Sequence, residues 1–223
     1  MSLSHFAPLA AVAISGSAFA GIVGGSAGID SMQVGRGYVD FQDPFGGGVN
    51  TATIANPPVG SLLLLGGGIP NVERFLSVLE FTSAETDSSG SLSTFDFRNE
   101  LEVDPFEGPE FEFAFAGNRL EFTTAGSADF SFTASLGVSG GGAMFVYNYS
   151  TGALILVDES YEEVNVTVLF DAGTHTIAWG VLAGTGGGFG DLEGTATLFV
   201  VPAPGVAALL AMAGLVLGHR RRR

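Results

Sequence analysis

The chain has 223 residues and a formal net charge of −15 at pH 7, with 34 glycines, 19 phenylalanines and no cysteine. All 23 acidic residues lie between Asp30 and Glu193, where four arginines and no lysine oppose them, so this stretch carries −19. Such a surface repels nucleic acid and anionic lipid, which excludes both as partners of the folded part. The lack of cysteine excludes disulfides, thiolate metal sites and cysteine catalysis.

The first 20 residues have the pattern of an export signal. Their apolar middle runs from Phe6 to Ile14, and they finish with Ala18 and Ala20 on either side of a phenylalanine. Small residues at these two positions are what signal peptidase recognises. We therefore predict a signal peptide over residues 1–20, the alternative being an apolar first strand. Residues 21–70 show few clear strands, which predicts a loosely structured arm or the first strands of the domain.

Alternation of apolar and polar residues dominates residues 71–200, which we expect to form one domain. The stretch "EFEFAFA" places Phe111, Phe113 and Phe115 on one strand face, and "DFSFTAS" does the same for Phe130 and Phe132. We expect these phenylalanine faces to form the core. The glycine-containing stretches "STG" and "DAG" between alternating segments predict two hairpin turns.

One stretch, "NVERFLSVLEF", fits both a helical stripe and an alternating strand. No long amphipathic helix is evident elsewhere in residues 21–200. Short alternating segments separated by glycine-rich turns predict an all-β fold. We expect an antiparallel β-sandwich, of which a jelly roll is one form.

Catalytic signals are weak. Ser26 and Ser139 each lie in a G-x-S-x-G match, but neither is followed by the helix that a nucleophile elbow requires. His175 alternates with Ile177 and Trp179, which favours a packed strand residue over a general base. We expect a protein without enzymatic activity. A polysaccharide-active hydrolase using two of the 23 carboxylates stays open as an alternative.

The densest acidic stretch is "ELEVDPFEGPEFE". Its loop contains Asp104, Glu107 and Glu110 together with Pro105, Gly108 and Pro109, and could bring carboxylates and carbonyls together around Ca²⁺. The spacing matches no standard calcium motif, so solvated strand faces are the alternative. No other cofactor is expected.

The last 23 residues form a three-part signal. The apolar run from Gly205 to Gly218 would span about 21 Å as a helix, less than a hydrocarbon core of about 30 Å. Prolines before this run leave an extended joint, and arginines after it would stay cytoplasmic. The joint and the basic tail consist of Val201, Pro202, Ala203, Pro204, Gly205, Arg220, Arg221, Arg222 and Arg223.

This arrangement resembles the C-terminal sorting signal of PEP-CTERM proteins, with Ala203 standing where that family usually has glutamate. The resemblance covers residues 201–223 and implies removal of the segment by an exosortase-like enzyme. It also implies a destination at the cell surface or in an extracellular polysaccharide matrix, after transient anchoring in the inner membrane. An ordinary single-pass anchor is the alternative.

Together these features predict an exported structural or interaction protein of the cell surface or matrix. Its expected partners are signal peptidase, the sorting enzyme and extracellular polysaccharide, with membrane contact only through the C-terminal segment. A Ca²⁺-dependent carbohydrate-binding module is the alternative function.

Overall fold

The computed structural model describes residues 28–39, 48–69, 71–86, 89–105 and 112–201. These residues form ten strands and no helix. The strands are β1 (Gly28–Val39), β2 (Val49–Ala55), β3 (Leu62–Gly66), β4 (Val72–Thr86), β5 (Ser91–Val103), β6 (Phe113–Thr124), β7 (Ala128–Asn148), β8 (Ala153–Val157), β9 (Tyr161–Phe170) and β10 (Gly173–Val200).

All strand pairs are antiparallel, and the two longest strands each belong to two parts of the sheet. In half-sheet A, the order is β2, β1, β6, the first part of β10, the last part of β7 and β8. In half-sheet B, the order is β3, β4, β5, the last part of β10, the first part of β7 and β9. The described part of the 21–70 stretch therefore supplies three strands of this sheet.

The two half-sheets pack face to face, as in a β-sandwich. The Phe97 ring of half-sheet B lies 5.6 Å from the Trp179 ring of half-sheet A, measured between centroids and edge to face. Asn118 on β6 donates a 2.7 Å hydrogen bond to Asn99 on β5, and Asn99 donates to Ser77 on β4 at 3.0 Å. The core thus combines aromatic packing with a buried polar chain whose members find partners within it.

Two glycine triplets form the corner where the long strands pass between the half-sheets. Gly140 pairs with Gly188, and the pairing of β7 with β10 is interrupted between Ala183 and Gly188. Gly140 and Gly187 have positive φ angles of 64° and 76°. A side chain at Gly142 would collide with the Phe189 carbonyl oxygen. Only glycine combines these backbone angles with such close backbone contact.

Phe113 and Phe115 of β6 do not face the main core. Phe130 and Phe132 on β7 lie in it as predicted, but on β6 it is Ala114 and Ala116 that point inward. Phe113 instead packs in a second apolar cluster on the outer face of half-sheet A. The predicted alternation on β6 holds, while the predicted direction of its phenylalanine face is wrong.

One of the two predicted hairpins is confirmed. β7 and β8 pair with each other across the turn at residues 149–152. The hairpin predicted at Asp171-Ala172-Gly173 is wrong, because β9 pairs with β7 while β10 begins beside β6. This turn carries the chain from one half-sheet to the other, with Phe170 packing edge to face on Phe122 at 5.1 Å.

The ambiguous stretch, Asn71 to Phe81, lies in strand β4 from Val72 onward. Its register shifts between Val72 and Arg74 and again between Phe81 and Ser83, and these irregularities interrupt the alternation that marks a regular strand. The prediction of an all-β antiparallel fold is confirmed for the described residues. Within them, no helix is long and apolar enough to cross a membrane. The predicted signal peptide and the C-terminal segment after Val201 lie outside the described residues.

Candidate functional site

The outer face of half-sheet B carries a charged surface, which we call the acidic face. Strand alternation directs these side chains away from the core, because the core takes the intervening positions Phe97, Leu101 and Leu192. Neighbouring strands bring the charges into register across β4, β5 and β10. The acidic face consists of Arg74, Arg98, Glu100, Glu102, Asp191 and Glu193.

Arg98 lies among three carboxylates on this face. Its guanidinium nitrogens are 3.7 Å from Glu100, 3.7 Å from Asp191 and 3.5 Å from Glu193. Partial burial raises the pKa of Asp191, and Arg98 opposes that rise. Each of these half-exposed ion pairs adds little stability, about 0–1 kcal/mol. Together they place charged donors and acceptors next to one another on one face of the sheet.

Short polar side chains continue the acidic face toward β9. Thr195 donates a 2.9 Å hydrogen bond to Asp96, and Thr133 donates to Asn165 at 2.6 Å. Further along the same strands, β7 and β10, the hydroxyl oxygens of Ser131 and Thr197 are 2.9 Å apart. The outer face of half-sheet B therefore offers carboxylates, a guanidinium, an amide and hydroxyls on one surface. Such groups can hydrogen-bond to a hydroxyl-rich ligand.

The outer face of half-sheet A contains a buried ion pair. Arg119 and Glu121 alternate on β6 and are 2.6 Å apart, with side chains only 5% and 6% exposed. Ser31 on β1 donates a 2.9 Å hydrogen bond to Glu121, and the Arg119 guanidinium lies 5.1 Å from the centre of the Tyr149 ring. Burial lowers the pKa of Arg119 and raises that of Tyr149 to about 12.

Aromatic rings surround this pair. Phe113 and Phe145 are 6% and 4% exposed. The Phe145 ring lies so close to Gly117 that a Cβ added there would be 3.0 Å from it, so glycine leaves the space that the ring fills. This face is thus a packed secondary cluster. The pair was not among the predicted site residues, although a charged Arg-x-Glu on a strand otherwise rich in phenylalanine and alanine was the available signal.

Of the three predicted calcium ligands, the structure describes only Asp104. Its side chain is exposed at the end of β5, and its backbone N–H donates to the Asn71 carbonyl at 3.2 Å. Glu107 and Glu110 lie outside the described residues. Close to Asp104 is Glu73, whose pKa is raised first by the Asp104 charge and then by a hydrogen bond to it. Among the described residues, no group of three or more acidic or histidine side chains has a geometry suited to a metal ion.

Calcium binding at this loop remains a prediction, and its test is thermal. If the loop binds the ion, Ca²⁺ at a hundredfold excess over Kd should add about 2.7 kcal/mol to the free energy of unfolding. Millimolar CaCl₂ should then raise Tm beyond NaCl of equal ionic strength, and Asp104→Asn with Glu107→Gln should remove the difference. Equal Tm shifts with both salts would mean that the loop has no calcium site and that its carboxylates are simply solvated.

Ser139 and His175, considered above as a nucleophile and a general base, both lie on strands of the sheet. Ser139 lies within β7, opposite Phe189, where the strand continues on both sides. His175 is half-buried: its ring packs on Phe122 and Phe170, with Nδ1 3.0 Å from the Ser150 hydroxyl and Nε2 2.7 Å from the Asp171 carbonyl. Ser26 lies outside the described residues.

Comparison with known proteins gives no family. No family model matches the chain, and no curated protein matches it. Among solved structures, the chain is similar to the CBM22-1 xylan-binding domain of Xyn10C from Paenibacillus barcinonensis, at 13% identity and a TM-score of 0.29, covering 64% of this chain and 87% of that one. It is also similar to isomalto-dextranase from Arthrobacter globiformis T6 complexed with panose, at 9% identity and a TM-score of 0.27.

The second similarity covers 78% of this chain and 32% of the enzyme. A third, to vicilin from the hazelnut Corylus avellana, has 13% identity and a TM-score of 0.16, covering 61% of this chain and 35% of that one. No TM-score here reaches 0.5, so these similarities assign neither a ligand nor an activity.

Proposed function

We propose that this protein is an exported, non-catalytic β-sandwich of the cell surface or matrix that binds extracellular polysaccharide through the acidic face. The observation that supports the proposal is the array around Arg98, in which three carboxylates lie within 3.7 Å of one guanidinium and hydroxyl groups lie on the same face of the sheet. Sugar hydroxyls both donate and accept hydrogen bonds, and this array offers partners of both kinds.

The charge balance favours a neutral polysaccharide over an anionic one. The acidic face has four carboxylates and two arginines, and the stretch around it carries −19. An anionic chain would meet repulsion over most of the domain, whereas a neutral chain would not. Binding of this kind would hold the protein in a hydrated polysaccharide matrix without chemical change to the polymer.

Isothermal titration of the full-length chain with a neutral β-glucan, a xylan and a uronic acid polymer tests the proposal. We expect saturable binding to a neutral polymer, little binding to the uronic acid polymer and no release of reducing ends. Arg98→Gln should weaken the binding about tenfold, a change of about 1.4 kcal/mol, because it removes the charged donor at the centre of the array.

A matched control is Arg36→Gln. Arg36 lies away from the acidic face, where it donates a 2.8 Å hydrogen bond to the Gly66 carbonyl and packs over the Phe75 ring. Its replacement should leave polysaccharide affinity unchanged. Equal losses in both variants, or wild-type binding that disappears with EDTA, would contradict recognition by the acidic face alone. The second result would instead favour the Ca²⁺-dependent carbohydrate-binding alternative.

We further propose that the chain reaches the surface after two cleavages, one by signal peptidase after residue 20 and one by a sorting enzyme in the C-terminal signal. Intact-mass measurement of protein recovered from the surface fraction should show a chain that starts near Gly21 and ends near Pro204. β10 ends at Val200, and Val201 N–H donates to the Ser127 carbonyl at 2.9 Å, so a cut near Pro204 would leave every described strand intact. Full-length protein retained in the membrane with its terminal arginines would indicate a plain anchor.

A further inference from the structure

Two asparagines of the chain lie in the sequence pattern that N-linked glycan transfer requires. The pattern is Asn-x-Ser or Asn-x-Thr, in which x is any residue except proline. It occurs at Asn148, in "NYS", and at Asn165, in "NVT", and at none of the other five asparagines. The pattern is short, so the surroundings of each asparagine decide whether it can serve as an acceptor.

Burial excludes Asn148 as an acceptor in the folded domain. The residue is 5% exposed and ends strand β7. Its Oδ1 atom accepts hydrogen bonds from the backbone N–H groups of Ser150 at 2.9 Å and Thr151 at 3.3 Å. The hydroxyl of Ser150, the third residue of the pattern, is 3.0 Å from the Nδ1 atom of His175. Asn148 therefore holds the turn between β7 and β8.

Asn165 lies in the opposite environment. Its strand, β9, is an edge strand that pairs only with β7 among the described strands. Asn165 and Thr167 are both exposed, while Val166 between them is buried. Strand alternation thus directs the amide and the hydroxyl of the pattern outward on the same face. An enzyme can reach both side chains from solvent.

Two exposed hydrogen bonds hold the Asn165 amide at the surface. Its Nδ2 atom donates to the Glu163 carboxylate at 2.8 Å, and its Oδ1 atom accepts from the Thr133 hydroxyl at 2.6 Å. Because these groups are exposed, water or the polar groups of an enzyme can replace both bonds at small net cost. The Asn165 nitrogen is therefore available for reaction, whereas the Asn148 side chain is committed to its turn.

We propose that Asn165 is a site of N-linked glycosylation. The donor is an oligosaccharide joined through a diphosphate to a membrane lipid, and the transferring enzyme acts on the chain outside the cytoplasm. The Asn165 nitrogen bonds to the anomeric carbon of the first sugar and loses one proton to a base of that enzyme. The bond from the same carbon to the diphosphate oxygen breaks, and the lipid diphosphate leaves with its electron pair.

A glycan at this position would cover the edge of half-sheet B. An unpaired edge strand can pair with another chain unless bulk or charge prevents it. On the same face of β9 as Asn165 lie Tyr161, which is 45% exposed, and Leu169, which at 71% is the most exposed of the large apolar side chains in the described part of the chain. Asn165 lies between them, so a hydrated glycan there shields both apolar side chains and the open backbone.

The inference rests on the export that is part of the proposed function, because donor and acceptor meet outside the cytoplasm. It is independent of polysaccharide binding by the acidic face. The same protein sample can therefore report on export and on glycan transfer separately, through its N-terminus and through Asn165.

Mass spectrometry of wild-type protein from the surface fraction of the producing cells tests the proposal. After proteolysis, we expect peptides with Asn165 to carry an oligosaccharide on that residue, while peptides with Asn148, the internal control, stay unmodified. Unmodified Asn165 in chains that start near Gly21 would overturn the proposal and leave export standing. Chains that keep residues 1–20 and lack the glycan would contradict both.

Variants of the full-length chain show whether the pattern itself directs the transfer. Thr167→Ser keeps the pattern and should keep the glycan at wild-type occupancy. Thr167→Val has the same shape without the hydroxyl and suits an exposed strand position, and it should lower occupancy at least tenfold with an unchanged circular dichroism spectrum. Asn165→Gln should abolish the modification. Equal occupancy in both Thr167 variants, or a glycan that persists in Asn165→Gln, would overturn the proposal.

Discussion

Replacing Trp179 with alanine should cost about 3–5 kcal/mol of unfolding free energy. Trp179 is fully buried, and its ring contacts Phe97 at 5.6 Å and Phe130 at 5.0 Å between centroids. It therefore joins the two half-sheets at their centre, and its removal leaves a cavity that surrounding strands, held by their own ladders, cannot close. Urea denaturation of the full-length chain, followed by far-ultraviolet circular dichroism, measures the loss.

Two further variants serve as controls for the stability loss of Trp179→Ala. Trp179→Phe keeps an aromatic ring and removes an indole N–H for which the structure shows no hydrogen-bond acceptor, so its loss should be distinctly smaller. Leu169→Ala, on an exposed strand face, should change the free energy of unfolding by less than about 0.5 kcal/mol. If Trp179→Ala also fell in that small range, the assigned contact between half-sheets would be wrong.

Breaking the buried ion pair should have an effect of similar size. Arg119→Met leaves the Glu121 carboxylate buried without its guanidinium, and Glu121→Leu leaves the Arg119 cation buried beside Tyr149. Removing one member of a buried pair costs about 3–5 kcal/mol, because the remaining charge has lost both water and partner. Each single variant should therefore show a large fall in unfolding free energy by the same denaturation measurement.

The double variant Arg119→Met with Glu121→Leu separates charge from shape. Two apolar side chains of similar volume need no desolvation of charge, so the double variant should be more stable than either single variant. The exposed pair of Arg74 and Glu102, 3.3 Å apart, is the control, and there each single change should cost about 0–1 kcal/mol. Additive losses in the buried pair would mean that its two charges do not depend on each other.

Strand content could be predicted from the sequence because alternation is a local property. When apolar residues recur at every second position, they share one face of a strand, as Phe130 and Phe132 do. This pattern identified β6, β7, β9 and β10 as strands. Alternation does not state which face points to the core when both faces of a strand are shielded. In the first half of β6, Ala114 and Ala116 face the core while Phe113 and Phe115 face outward, so the larger residues indicated the wrong side.

Strand length and connection were harder to predict, because they depend on partners far along the chain. The glycine triplets beginning at Gly140 and Gly186 separate alternating segments as turns do, yet β7 and β10 continue through them. Bending both strands at one corner requires two distant triplets to meet, which no local pattern reveals. The same holds for the acidic face, whose charges come together only through the pairing of β4, β5 and β10.

The position of β10 has a consequence for the order of assembly. This 28-residue strand comes last among the described elements, yet it lies between β6 and β5 and pairs with β7 along most of its length. Before it emerges during synthesis, β1, β2 and β6 have no ladder bond to β3, β4 and β5. Until the final strand is made, the described strands therefore form three ribbons with no ladder bond between them, namely β2–β1–β6, β3–β4–β5 and β8–β7–β9. β10 then joins all three into one sheet.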